Sequence, residues 1–113
     1  MKLIYFLLIT SVVASTEMCT CPESCSHKEE LGRGTWNLLH SIVKHTEKTQ
    51  DNELLFYDFM DILSQLYPCE ECRRHFSDNL RAIDQMEMSE NWMCEFHNVV
   101  NKQLGKPIHL CHE

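Results

Sequence analysis

From residue 29 onward, the apolar positions recur at helical spacing in four stretches. Leu31, Thr35, Leu38, Leu39, Ile42 and Val43 fall on one side of a first helix running from Glu29 to about Lys48. A second helix starts at an Asp51 cap and carries Leu55, Phe56, Phe59, Ile62, Leu63 and Leu66. It must stop near Tyr67, because Pro68 restricts the backbone of the residue before it. Pro68 suits the first position of a third helix, which would carry Cys69, Cys72, Phe76 and Leu80 and fade by Asp84. A fourth begins at a Ser89 cap, packs Trp92, Phe96, Val99 and Val100, and ends at Gly105 with Pro107 beyond it. Four helices with short connections predict an all-α fold, a four-helix bundle.

Before these helices the pattern changes twice. Residues 3–14 form an uncharged apolar run behind Lys2, ending in the small residues Ala14, Ser15 and Thr16, the layout of a secretory signal peptide spanning 1–15. The run is shorter than the ~20 residues that cross a bilayer, so no stable membrane insertion is expected after cleavage. An uncleaved anchor or a buried terminal helix is the alternative. Residues 16–27 have no periodicity and hold three cysteines, so they read as a flexible tail; 28–113 is then the helical domain. An apolar leader poor in arginine points to the secretory pathway, above all the lumen of the endoplasmic reticulum, where disulfides persist.

Composition agrees with a helical domain. Gly and Pro number 3 each among 113 residues, too few for a sandwich or barrel with turns roughly every 8–12 positions. The three glycines cannot be arranged as a dinucleotide or P-loop fingerprint. A net charge of −7, with no basic run interleaved with aromatics, argues against nucleic acid.

The chemistry lies in the 7 cysteines and what surrounds them. Cys69 and Cys72 form a C-x-x-C at a helix start, where free N–H groups and the helix dipole favour a thiolate; Cys69 is expected to be the more reactive. Redox exchange, half of a zinc site and a purely structural bridge all fit that spacing. The zinc alternative would draw on Cys69, Cys72, Cys94 and His97. On the fourth helix, Cys94, His97, Asn98, Asn101 and Gly105 make a polar stripe opposite the apolar one. Short hydrogen-bonding groups of this kind suit either a solvated face or the polar edge of a ligand. Gly32 and Gly34, each costly in a helix interior, precede Trp36 and His40. They are tolerable at a helix start, or else they admit a flat ligand to the backbone.

Three blocks together, LGRGTWNLLH at 31–40, YPCEEC at 67–72 and WMCEFHNVVNKQLGKPIHLC at 92–111, resemble the Erv/ALR family of FAD-linked sulfhydryl oxidases. The resemblance implies a four-helix bundle with a short fifth helical turn after Gly105, FAD at the bundle mouth, and a homodimer. Arg33, Gly34, Thr35, Trp36, His40 and Tyr67 would line the flavin site with Cys94, His97, Asn98, Asn101, Lys102 and Lys106. It further implies that Cys69 and Cys72 are catalytic and that Cys94 and Cys111 form a structural disulfide. Substrate dithiols, in proteins such as a disulfide isomerase, would reduce a tail disulfide; electrons would pass to Cys69–Cys72, then FAD, then O2, giving H2O2. In the tail, Cys19, Cys21 and Cys25 are the shuttle candidates, with Cys19–Cys21 preferred because a C-x-C ring is strained and oxidising. The family also works in the mitochondrial intermembrane space, the alternative compartment. A zinc-bound or disulfide-stapled secreted module without catalysis is the alternative function.

Overall fold

The computed structural model describes residues 28–83 and 85–111; the leader, the tail cysteines and their expected roles lie outside them. The described residues form four α-helices: α1 Lys28–His45, α2 Gln50–Leu66, α3 Glu70–Ala82 and α4 Glu90–Gln103, with no strand among them. The described residues from Gly32 onward form one compact unit.

Side chains set the helix ends. Thr49, not the expected Asp51, caps α2: its hydroxyl accepts the Asn52 N–H at 3.2 Å, which leaves Asp51 in the first turn against the positive end of the dipole. Ser89 caps α4 as expected, accepting the Trp92 N–H at 3.1 Å. At the far end of α4, Gly105 has φ 68°, and the N–H groups of Gly105 and Lys106 return to the carbonyls of Lys102 and Asn101. This is a Schellman stop, and it needs a residue at ease in the left-handed region.

The beginning of α3 lies two residues beyond the expected one, at Glu70. Pro68 lies before the helix, and Cys69 is itself the cap, with φ −128° and ψ 116°. Its sulfur accepts the Cys72 N–H at 3.3 Å, the bond that a serine hydroxyl makes in an ordinary cap.

The core is Leu39 and Val43 from α1, Phe56 and Met60 from α2, and Met88, Trp92, Met93 and Phe96 at and beside the start of α4. Phe96 is stacked on Trp92 and takes the ring of Phe76 from α3 edge-on, so α4 is the centre of the aromatic packing. The Trp92 indole N–H, buried with the ring, is satisfied by the Gln85 carbonyl at 3.1 Å.

Two expectations need correction. Leu31, Leu38, Leu55, Ile62, Leu66 and Val99, placed by periodicity among the packed positions, are exposed, because each lies to one side of the narrower buried stripe formed by Leu39 and Val43 on α1, Phe56 and Met60 on α2, and Trp92 and Phe96 on α4. The fifth helical turn is not formed among the described residues. The segment 106–111 has no regular structure, Pro107 removes a donor there, and the backbone of His109 bonds to Asn98 instead of to its own turn.

Candidate active site

Two half-buried features gather the residues singled out by sequence. The first is the cysteine-bearing loop between α2 and α3. Tyr67 closes α2 by donating its N–H to the Leu63 carbonyl at 3.0 Å, and Pro68 carries the chain into Cys69. Cys69 and Cys72 are joined as a disulfide, with Cα atoms 5.1 Å apart. The two-residue spacing in the first turn of a helix is what brings them within bonding range. Both residues are half-buried, while Glu70 and Glu71 between them are exposed.

The second feature is an aromatic and imidazole cluster where α1 faces α4. Trp36 lies flat on His97, with ring centroids 3.9 Å apart and planes 9° from parallel. His40, one turn along α1 from Trp36, is hydrogen-bonded from Nε2 to Nδ1 of His97 at 3.0 Å, so one of the two rings donates and the other accepts. Burial, followed by the neighbouring His40, His109 and Lys106, pushes the His97 pKa down to about 4. His40 is lowered too, chiefly by burial and then by His109, with Glu90 opposing. Both rings are therefore neutral at pH 7, which suits a cluster built to pack against a flat ring and exchange hydrogen bonds with it.

Asn98, next on the stripe, holds the segment after α4. Its Nδ2 donates to the His109 carbonyl at 2.7 Å, and its Oδ1 accepts the His109 N–H at 2.9 Å. The same amide nitrogen lies 3.3 Å from the Cys111 sulfur, and Cys111 is bonded to Cys94. Buried Asn101 donates to Asn98 Oδ1 at 3.4 Å. Disulfide and amide thus fasten the segment to α4 at the same place, and they carry His109 to 6.3 Å from His97, centroid to centroid.

The other expected residues surround these features. Arg33, Lys102 and Lys106 are exposed, and Thr35 is half-buried. A Cβ on Gly34 would meet nothing within 4 Å, so the backbone there is open to a ligand. At Gly32 a Cβ would lie an ordinary 3.9 Å from the Tyr67 hydroxyl, so no close approach demands glycine at that position. The zinc alternative fails on geometry: Cys94 is bonded to Cys111, and Cys69 and Cys72 to each other, so the four proposed ligands are not gathered.

Four participants, His109, Arg73, Asn79 and Gln103, were not singled out by the sequence pattern. His109 joins the imidazole cluster, and its only signal was its place two residues before Cys111. Arg73 reaches back to the Tyr67 carbonyl at 2.7 Å. Asn79 and Gln103 exchange two hydrogen bonds, of 3.0 and 2.9 Å, and so tie α3 to the end of α4. A 24-residue separation gave that pair no signal in the sequence.

An open backbone at Gly34, an aromatic wall of Trp36 and neutral imidazoles, and the exposed cations Lys102 and Lys106 fit a ligand with a flat polar ring system and an anionic tail. Comparison with known proteins gives the same direction. The Erv1/Alr family model matches residues 33–113. The chain is 46% identical over 91 residues to the FAD-linked sulfhydryl oxidase ERV1 of Oryza sativa subsp. japonica, covering 74% of this chain and 46% of that one. It is 37% identical over 89 residues to the mitochondrial FAD-linked sulfhydryl oxidase ERV1 of Saccharomyces cerevisiae, covering 74% and 47%. The chain therefore spans about half the length of these relatives. Among solved structures, the FAD binding domain of Erv1 from Saccharomyces cerevisiae superposes with a TM-score of 0.67 at 37% identity, over 74% of this chain and 86% of that one.

Proposed function

The chain belongs to the Erv1/Alr family, and on that premise we propose that it is an FAD-linked thiol oxidase that makes disulfide bonds in dithiol substrates. The observation that carries this is the Cys69–Cys72 disulfide at the start of α3, a redox pair in a chain otherwise built like its flavin-binding relatives.

FAD would lie along the open face at Gly34, with Trp36, His40 and His97 against its rings, Tyr67 near the redox loop, and Lys102 and Lys106 toward its pyrophosphate. Bound there, it would accept two electrons from the Cys69/Cys72 dithiol and pass them to O2, giving H2O2. Arg33, Thr35, Asn98, Asn101 and Cys94 complete the proposed site, Asn98 by keeping the segment that carries His109 in place. A substrate thiolate attacks the disulfide, Cys69 being the sulfur at the helix cap; a second substrate thiol then resolves the mixed disulfide and leaves Cys69 and Cys72 reduced. Neutral His40 and His97 neither repel Lys106 nor draw in bulk water as a charged pair would.

The tail cysteines Cys19, Cys21 and Cys25 are proposed as the shuttle for protein substrates such as a disulfide isomerase. The names of the Saccharomyces cerevisiae and Schizosaccharomyces pombe relatives include "mitochondrial", which favours the intermembrane space over the endoplasmic reticulum that the leader's composition suggests. No helix among the described residues is long and apolar enough to cross a membrane.

Oxygen uptake driven by dithiothreitol tests the proposal. Cys69→Ser and Cys72→Ser should each abolish it, whereas loss of Cys19 or Cys21 should spare it and impair only protein substrates. Uptake that survives in both active-pair variants would remove Cys69–Cys72 from the mechanism. A colourless protein would favour the disulfide-stapled module without catalysis.

A further inference from the structure

One side chain at the redox loop has no part in the relay just described. Arg73 follows Cys72 directly; its Nη1 donates to the Tyr67 carbonyl at 2.7 Å, and its backbone N–H donates to the Cys69 carbonyl at 2.8 Å. The side chain therefore reaches back to the end of α2, where Tyr67 is the closing residue and a cation meets the negative end of the helix dipole. Arg73 is half-buried; its neighbour Arg74 is exposed. That difference matters because a free surface cation is screened by solvent and salt, whereas one fixed in place and partly out of water is screened much less.

We propose that Arg73 is a positioning residue for the Cys69–Cys72 couple, fixed on the Tyr67 carbonyl so that its charge makes the disulfide a stronger oxidant. The inference rests on these two cysteines being the redox pair. In the exchange, the Cys69–Cys72 bond breaks and a substrate disulfide forms; two electrons pass to the couple, with two protons when both thiols are counted neutral. A couple oxidises more strongly when its thiolate form is better stabilised. The Cys72 N–H already serves the Cys69 sulfur, and Arg73 adds a positive charge in the same turn. Glu70 and Glu71 act in the opposite sense, but both are exposed. The backbone bond from Arg73 to Cys69 survives any side-chain replacement, so the spacing of the sulfurs is retained and charge decides the sign.

The test equilibrates the full-length protein at pH 7 with glutathione redox buffers and measures the Cys69/Cys72 pair by alkylation and mass spectrometry. Arg73→Gln keeps a donor for the Tyr67 carbonyl without the charge, and Arg73→Met removes both. Each should shift the equilibrium toward the disulfide by about three- to tenfold, tenfold being about 30 mV for a two-electron couple. Arg73→Lys and the control Arg74→Met should stay within about twofold of the wild type. An unchanged equilibrium in Arg73→Gln overturns the proposal, as does an equal shift in Arg74→Met, because charge at large would then explain it. The couple can be measured without oxidase turnover. A normal dependence on Arg73 in a protein that consumes no oxygen would therefore reject the oxidase reading and leave this role standing.

Discussion

Asn98 shows how one amide can take on the work of a helical turn. Both of its ends are committed to the backbone of His109, so Asn98→Ala leaves an N–H and a carbonyl to find water. We expect a loss of about 1–2 kcal/mol in chemical denaturation. Asn98→Asp keeps the acceptor for the His109 N–H and should lose less. His97 gives the second prediction at this scale. Its folded pKa of about 4 lies below the ordinary 6.5, so the unfolded chain binds the extra proton first as pH falls. Stability from this ring is complete above pH 6.5 and declines toward pH 4; for a half-exposed group the loss is roughly 1 kcal/mol. Thermal denaturation of the wild type against His97→Gln between pH 7 and 4.5 checks it, and the variant should show the shallower decline. The polar stripe of α4 was legible from residue spacing alone. The partners of its side chains were not: His109 reaches Asn98 through an irregular segment, and no local period links them.

At the scale of elements, all four helices could be read from the apolar period, but two of the helix starts could not. Thr49 and Asp51 are both good caps; hydrogen-bond geometry chose Thr49, because only its hydroxyl meets the Asn52 N–H while the residue stays extended. Pro68 was a plausible first residue for α3, yet the Cys69 sulfur serves as the cap and moves the helix start beyond it. Cys69→Ser should therefore fold with close to wild-type stability apart from the lost disulfide, since serine caps well, while Cys69→Ala should lose about 1 kcal/mol more. Denaturation of both variants under reducing conditions isolates the cap. Gly105→Ala places a Cβ in the left-handed region and should cost about 1 kcal/mol by the same measurement.

For the whole molecule, the periodic positions that are not buried matter most. Leu55, Ile62 and Leu66 lie 7 and 4 residues apart along α2 and are 65%, 52% and 73% exposed. Such a stripe on a small domain suits a second copy of the chain, the homodimer expected from the family resemblance. Ile62→Glu should convert the protein to monomer in sedimentation velocity without loss of helical circular dichroism; a wild-type monomer would contradict the dimer. Periodicity marks apolar positions but cannot say whether they face the protein's own core or a partner, which is why the sequence overfilled the core. The central claim is that Cys69–Cys72 passes electrons to a bound flavin, and anaerobic titration of the purified protein with dithiothreitol, followed by flavin absorbance, tests it most directly. A yellow protein that bleaches on addition of dithiothreitol, with the bleaching abolished in Cys72→Ser, is the predicted result; a protein without flavin, or one that bleaches equally in the variant, would contradict it.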